Sequence, residues 1–325
     1  MRKRKLGWTE LELTCVGIGT WAIGGEWRYG WGPQDERDSI AAIRRGLELG
    51  LNWIDTAPAY GLGKSEQIVG KAIKGVSPRP IIATKCGLVP DGSPGGVTHR
   101  LKRESVMREL EASLKNLGID TIDVYQIHWP QPDRDIEEAW RAMDDARRQG
   151  KIRYAAVSNF NVRQIQRVDA IAPVASVQLP YSMLRRDVET GLLPYCGANN
   201  IGVIVYSPMQ KGLLTGKITR ERVKNFLATD HRRFDPQFNE PALIANLEFA
   251  AWLSAFAAER GRTPAQCAIA WTLRRPEVTA AIVGTRSPEQ IEETARAGEW
   301  TLSGEDLAMI DAMLERRLRS LSPSS

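Results

Sequence analysis

Eight strand-and-helix units in succession predict an α/β fold closed into a single (β/α)8 TIM barrel. Two observations carry this. The strand segments are short runs of β-branched and other apolar residues without alternation, as in Val203-Ile204-Val205-Tyr206, which marks a parallel sheet covered on both faces. Each run is followed by a stretch with helical periodicity or helix signals, and the units number eight, the count that closes a barrel.

The units run in order. Val16-Gly17-Ile18-Gly19-Thr20 is the first strand, and residues 37–49 are its helix, with Ile40, Ile43 and Leu47 at helical spacing and Gly50 as a stop signal. Residues 52–55 and 66–73 are the second pair, 81–85 and 104–117 the third, and 121–128 and 136–149 the fourth. The fifth is 152–157 with 162–168, and the sixth is 174–178 with a helix at 189–198. The seventh strand, 203–206, is followed by a long stretch and a helix at 243–259. The eighth, 280–283, is followed by a helix at 288–297. A doubly wound sheet needs a Gly-rich turn that opens a helix, whereas Gly17-Ile18-Gly19-Thr20 leads into a Trp-rich loop.

Further material decorates this barrel. Residues 3–13 read as a hairpin that could plug its bottom, and 303–318 as an added amphipathic helix. Long segments at 21–35, 89–99 and 207–240 follow strands one, three and seven, which puts them at the C-terminal face, where barrel enzymes keep their active sites. No linker divides the chain, so residues 1–325 are expected to form one domain.

Composition narrows the function. Hydrophobic residues make up 42% of the 325 and charged residues 26%, ordinary globular usage that excludes a disordered or collagen-like chain. The net charge of +5 comes from 44 Lys and Arg scattered among 39 acidic residues, with no basic face to suit a nucleic acid. Cys15, Cys86, Cys196 and Cys267 form no CxxC pair and read as buried thiols. The basic start at Met1-Arg2-Lys3-Arg4-Lys5 has no apolar core behind it, and no run approaches the length of a membrane span. A soluble cytoplasmic protein with no membrane partner is expected. The three histidines, His99, His128 and His231, lie far apart without ligand spacing, so no metal site is expected.

Polar residues at barrel strand ends are the catalytic candidates. Asp55 closes the second strand, Lys85 the third and His128 the fourth, and Tyr60 lies in the turn just past Asp55. Each alone reads as ordinary surface, core or turn chemistry, but all four gather at one end of three adjacent strands. A tyrosine is a poor acid at neutral pH, and a cation beside its oxygen should bring its pKa down towards working range. Lys85 would supply that charge, Asp55 would hold Lys85, and His128 could hydrogen-bond and orient a carbonyl oxygen. A phenol donating to a carbonyl oxygen suits hydride addition to that carbonyl, and the hydride must come from a nicotinamide.

Several segments then resemble the aldo-keto reductase superfamily. They are Asp55-Thr56-Ala57-Pro58-Ala59-Tyr60-Gly61 with Ser65-Glu66, Ala83-Thr84-Lys85, Ile127-His128-Trp129-Pro130, Gly150-Lys151-Ile152-Arg153, Val157-Ser158-Asn159-Phe160, Tyr206-Ser207-Pro208 with Gly212-Leu213-Leu214-Thr215-Gly216, and Ile282-Val283-Gly284-Thr285-Arg286-Ser287-Pro288-Glu289-Gln290. The resemblance covers nearly the whole chain in the right order, and its details are most similar to the bacterial branch that also resembles potassium-channel β-subunits.

The resemblance implies that Tyr60 is the general acid/base, with Asp55, Lys85 and His128 completing a tetrad. It implies NAD(P)H lying extended across the barrel mouth. Ser158, Asn159 and Gln178 would bind the nicotinamide amide and Tyr206 would stack on its ring, with Gly19, Thr20 and Trp21 also at the cofactor. Ser207, Pro208, Met209, Gln210, Lys211, Gly212 and Leu213 would follow the pyrophosphate. Gly284, Thr285, Arg286, Gln290 and Glu293 would hold the adenosine end. The position of Arg286 before Ser287-Pro288, a helix start, supports a phosphate there, and an Arg suits the 2′-phosphate of NADPH. Thr294 and Ser182 stand where the family often has Asn.

The loop after strand one carries Trp21, Trp27, Tyr29 and Trp31, and Trp129 follows His128. These rings either pack the loop onto the barrel or wall a pocket for an aromatic aldehyde or the apolar face of a sugar. The expected function is NADPH-dependent reduction of a small-molecule aldehyde or ketone. The alternative is an NADPH-binding regulatory subunit with little turnover, and a carboxylate-based hydrolase lacks a second acid near Asp55.

Overall fold

The structure, a computed structural model, describes residues 1–227 and 230–321. The strands in chain order are β1 (Lys3–Lys5), β2 (Glu12–Thr14), β3 (Val16–Gly19), β4 (Trp53–Asp55), β5 (Ile81–Cys86), β6 (Leu88–Pro90), β7 (Val97–His99), β8 (Ile122–Ile127), β9 (Ile152–Ser158), β10 (Ser176–Pro180), β11 (Gly202–Tyr206) and β12 (Ala280–Gly284). Eight of them, β3, β4, β5, β8, β9, β10, β11 and β12, form a closed barrel in sequence order, all parallel, with β12 pairing β3 to shut it. The expected (β/α)8 barrel is what the chain forms.

The helices are α1 (Glu36–Glu48), α2 (Lys64–Ile73), α3 (Arg103–Leu117), α4 (Ile136–Arg148), α5 (Val162–Asp169), α6 (Leu192–Ala198), α7 (Arg220–Lys224), α8 (Ala242–Ala258), α9 (Pro264–Thr272), α10 (Pro288–Ala295) and α11 (Gly304–Leu321). Local chemistry starts and stops them. The Asp35 carboxylate caps α1 by accepting from the backbone N–H of Arg37 and Asp38, Asn161 and Gln164 form a capping box on α5, and α3 ends at Gly118 in the left-handed region. The buried stripe of α4, Ile136, Ala139, Trp140 and Met143, faces the sheet.

The expected hairpin is present as β1 and β2, and it does close the barrel bottom. Leu6, Leu11 and Leu13 pack with Trp53, Val124, Ala156 and Ile204 inside the barrel. Trp53 fills that interior and donates its indole N–H to the Thr14 carbonyl at 2.9 Å. Its ring explains Gly17 on the adjacent strand, where a Cβ would sit 1.9 Å from an indole carbon.

Three departures from the expected elements have physical causes. α9 was not anticipated from the sequence. Residues 265 and 267–272 are all buried, so α9 shows no polar face to reveal its period, although Thr263, Pro264 and Gln266 supply a capping box with proline in the first turn. The helix expected at 189–198 divides at Gly191 into a short 3₁₀ turn and α6. The mouth segment 89–99 contributes to a two-stranded ribbon, β6 with β7, rather than a plain loop. Of the segment 207–240, residues 228 and 229 lie outside the described residues.

Candidate active site

The strand ends bring the four sequence-chosen residues together. β4 delivers Asp55, the turn after it Tyr60, β5 Lys85, and the residue after β8 His128. The Lys85 Nζ donates to Asp55 Oδ1 at 2.6 Å, to the Thr56 carbonyl at 3.0 Å and to the Tyr60 phenol oxygen at 3.0 Å. All three donors of the ammonium are thereby used, which is what a fully buried lysine requires. His128 presents its ring edge-on to Tyr60, with centroids 5.8 Å apart, and its backbone N–H donates to the Cys86 carbonyl at 2.9 Å. The turn that carries Tyr60 is clamped against the loop after β3. Gly61 has φ +62°, and a Cβ there would lie 2.1 Å from the Gly24 carbonyl oxygen.

The electrostatics correct one expectation. Burial raises the Tyr60 pKa, and the Lys85 charge and hydrogen bond offset this only in part, so the phenol is held above its ordinary value rather than below it. Burial acts against the Lys85 charge, but Asp55 and Tyr60 outweigh it and the lysine pKa is raised. Burial, with Lys85 nearby, holds His128 well below the usual imidazole range. At neutral pH the site is therefore a protonated phenol, an ammonium and a neutral imidazole.

Tyr60 and His128 face a cavity of about 750 Å³ in the barrel mouth. Of the sequence-chosen residues, Gly19, Thr20, Trp21, Ser158, Asn159, Gln178, Tyr206, Ser207 and Pro208 line it. So do Met209, Lys211, Gly212, Gly284, Gln290 and Glu293, and the aromatic residues Trp27, Trp31 and Trp129. Tyr206 donates to Asn159 Oδ1 at 2.8 Å, and Asn159, at φ +62°, donates to the His128 carbonyl at 3.0 Å.

Lys85 lies behind Tyr60, off the cavity wall, and four of the residues chosen for the cofactor are also placed away from it. Gln210 accepts from the Ser182 hydroxyl at 2.7 Å, which also shows that Ser182 has a partner of its own. Leu213 is buried among Ile218, Phe226, Phe238 and Leu243. Thr285 donates to the Ser287 carbonyl at 2.9 Å. The Arg286 guanidinium donates to Gln34 Oε1 and the Pro33 carbonyl, both at 2.5 Å, and so ties the loop after β3 to the end of β12. Among the described residues it has no carboxylate partner, and the Arg232 charge acts on it.

The sequence reading missed the cations of the long β11 loop. Lys217, Arg222 and Arg232 line the cavity. Arg232 is 8% exposed, lies 4.6 Å over the Trp31 ring, and makes a two-pronged pair with Asp230. The signal was present as Gly216-Lys217 and Asp230-His231-Arg232, but charges in a mouth loop read as surface. The rings of the aromatic loop pack on one another and also line the cavity. Trp21 packs edge-on against Trp31 at 5.2 Å and His231 at 4.8 Å, while Trp27 lies 6.0 Å from Tyr60 and shares the cavity.

The residues present fit a dinucleotide. Amides at 159 and 178 and the Tyr206 ring border the tetrad end, while Lys211, Lys217, Arg222 and Arg232 are cations elsewhere on the same wall that could meet phosphates, three of them paired at present with Asp235, Glu293 and Asp230. Among the described residues no group of three His, Cys, Asp or Glu side chains could hold a metal ion, and no helix is long and apolar enough to cross a membrane.

A barrel with this tetrad defines a class, and comparison with known proteins agrees. A sequence model of the aldo/keto reductase family matches residues 15–315. Aldo-keto reductase YhdN of Bacillus subtilis (strain 168) is 40% identical over 313 residues, covering 95% of this chain and 92% of that protein. The NADH-specific methylglyoxal reductase of Escherichia coli (strain K12) is 35% identical over 329 residues, covering 97% of this chain and 99% of that protein. The solved structure of a glycerol dehydrogenase from Gluconobacter oxydans superposes with a TM-score of 0.90 at 34% identity, covering 99% of this chain and 97% of that one. The chain belongs to the aldo/keto reductase family. It is an oxidoreductase that uses a nicotinamide cofactor on C=O and CH–OH groups.

Proposed function

We propose that this protein reduces an aldehyde or ketone with NADPH, with Tyr60 as the proton donor. The observation that carries the reading is the buried Lys85 ammonium, held between Asp55 Oδ1 and the Tyr60 phenol. The phenol is protonated at neutral pH, so it has the proton that reduction requires. As Tyr60 passes that proton to the carbonyl oxygen, Lys85 stabilises the phenolate left behind, and Asp55 keeps Lys85 charged and in place. The neutral His128 hydrogen-bonds the same oxygen and orients it.

When bound, a reduced nicotinamide supplies the hydride. Ser158, Asn159, Gln178 and Tyr206 would hold its ring end, and Lys211, Lys217 and Arg232 its phosphates. Arg286 has no carboxylate partner among the described residues and lies within the field of Arg232, which would suit the additional 2′-phosphate of NADPH over NADH. The indoles of Trp21, Trp27 and Trp129 would wall the substrate, favouring an aromatic aldehyde or the apolar face of a sugar. The relatives' names add methylglyoxal and glycerol, small oxygenated molecules, to the candidate class. The free, buried cysteines suit the cytoplasmic setting proposed with this activity.

The test is a panel of aldehydes, ketones and sugars followed by NADPH absorbance, run on the unsubstituted protein and on Tyr60→Phe. Carbonyl-dependent oxidation of NADPH that Tyr60→Phe abolishes is expected. Tight NADPH binding with no turnover on any carbonyl would sink the proposal.

A further inference from the structure

A layer of side chains inside a (β/α)8 barrel is contributed by alternate strands and is usually bulky and apolar. Near the top of this barrel the second, fourth and sixth barrel strands instead turn in Asp55, Gln126 and Gln178. The three are 2%, 0% and 3% exposed. Burying a carboxylate and two amides is costly unless each atom is partnered. They partner one another. Asp55 Oδ2 accepts from Gln178 Nε2 at 2.7 Å and from Gln126 Nε2 at 3.3 Å, and Gln126 Oε1 accepts from Gln178 Nε2 at 3.3 Å. Asp55 Oδ1 is thereby left to Lys85, whose strand pairs with that of Gln126 in direct register.

The chemistry fixes which way each amide faces. An ionised carboxylate only accepts hydrogen bonds, so both glutamines must turn an N–H towards Asp55. Gln126 then has its carbonyl oxygen free for Gln178, which commits the Gln178 NH2 group to two acceptors. The atom that Gln178 has left for a ligand is its carbonyl oxygen, and Gln178 is on the cavity wall while Gln126 is not. A carbonyl oxygen there can accept from a carboxamide N–H.

We infer that Gln126 is a positioning residue for proton transfer: from inside the barrel it holds Asp55 Oδ2 and the Gln178 amide, so that Asp55 Oδ1 stays on Lys85. The inference rests on the proposed reading that Lys85 and Tyr60 move the proton. Gln126 touches neither the cavity nor the reacting atoms, and it acts only through Asp55 and Gln178.

Gln126→Met keeps the length and packing of the side chain and removes both hydrogen-bonding groups. The single-turnover rate of NADPH oxidation by bound carbonyl should fall about tenfold, the low end of what a hydrogen bond to a charged group contributes. The KM for the carbonyl and the dissociation constant of NADP+, read by tryptophan fluorescence, should stay within about twofold. Gln126→Asn, which keeps an amide but sets it one methylene short, serves as a second variant should the Met form lose its cooperative thermal transition, and the same drop is expected. A wild-type single-turnover rate in either folded variant overturns the inference, and so does a loss of NADP+ binding with the rate at saturation unchanged. Failure of the underlying reading is visible separately, as an unsubstituted protein without carbonyl-dependent NADPH oxidation or a Tyr60→Phe form that matches it.

Discussion

The Lys85 Nζ lies 3.0 Å from the Tyr60 phenol oxygen, yet the phenol pKa is raised. The cation is not there to create a resting phenolate. Burial keeps the proton on the oxygen, and the ammonium lowers the cost of losing it once a carbonyl oxygen is ready to receive it.

This sets a pH dependence. Reduction needs the phenol protonated and the His128 imidazole neutral. The phenol is held up, by burial first, and His128 is held well below its ordinary value, also by burial first. The reductive turnover should therefore stay level through the ordinary imidazole value of about 6.5 and on towards the ordinary phenol value of about 10, falling only beyond it as the phenol ionises. Alcohol oxidation needs the phenolate and should rise through the alkaline range. Initial rates in both directions across that range check this, and a reductive rate that falls with a midpoint near the ordinary imidazole value of about 6.5 would contradict the neutral His128.

Removing the ammonium should cost both stability and activity. Lys85→Met leaves Asp55 as a buried charge whose remaining side-chain partners among the described residues are Gln126 and Gln178. Breaking a buried pair in this way destabilises by about 3–5 kcal/mol, and losing the cation beside the phenol should slow reduction roughly 10²–10⁴-fold. Adding Asp55→Asn removes the stranded charge. Urea unfolding should show much of the stability restored in the double variant, while the rate stays at the level of Lys85→Met.

Glu109 on α3 is a buried carboxyl that forms no ion pair among the described residues, and the Arg108 charge offsets its burial only in part. Burial lifts its pKa to about 7, although the Gly87 N–H and the Ser105 hydroxyl donate to it at 2.8 and 3.0 Å. A raised pKa means that the folded state holds the proton more tightly than the unfolded chain. The stabilisation is fully present below the unfolded value of about 4.5 and is lost as pH rises through about 7, to a total of about 3 kcal/mol. Glu109→Gln should flatten that slope. Urea unfolding free energies at pH 5 and pH 8, compared between the two proteins, measure it.

Much of the barrel and three of the four tetrad positions were legible because apolar strands that end in Asp55, Lys85 and His128 leave a strong local mark. Tyr60 lies off the strand, in the turn just past Asp55, and became legible through its nearness to the other three strand ends. What stayed hidden depends on three-dimensional burial. The direction of the Tyr60 shift is set by how completely water is excluded, and that has no signature in spacing. Gln126 sits within Val124-Tyr125-Gln126-Ile127, where an inward polar residue looks like a pause in an apolar run. α9 is buried on nearly every side, so the alternation that betrays a helix is missing. Arg232 and Arg286 are brought near one another by the closure of β12 onto β3 and the return of the β11 loop, neither of which is a local property.

Arg286 can act as a phosphate ligand, as a tether for the loop after β3, or as both, and the two roles separate by coenzyme. Its guanidinium donates to Gln34 Oε1 and the Pro33 carbonyl, which are neutral acceptors, and it lies within the field of Arg232. A 2′-phosphate brought to Arg286 would meet a guanidinium that has no carboxylate partner among the described residues, whereas NADH presents only hydroxyls there. Arg286→Ala should raise the KM for NADPH about tenfold and leave that for NADH within about twofold. Gln34→Ala weakens the tether alone and should affect the two coenzymes equally. Steady-state kinetics with both coenzymes on both variants make the comparison. If Arg286→Ala raises the two KM values by the same factor, the guanidinium serves the loop, and any preference for NADPH must come from other cations of the cavity wall such as Lys217, Arg222 or Arg232.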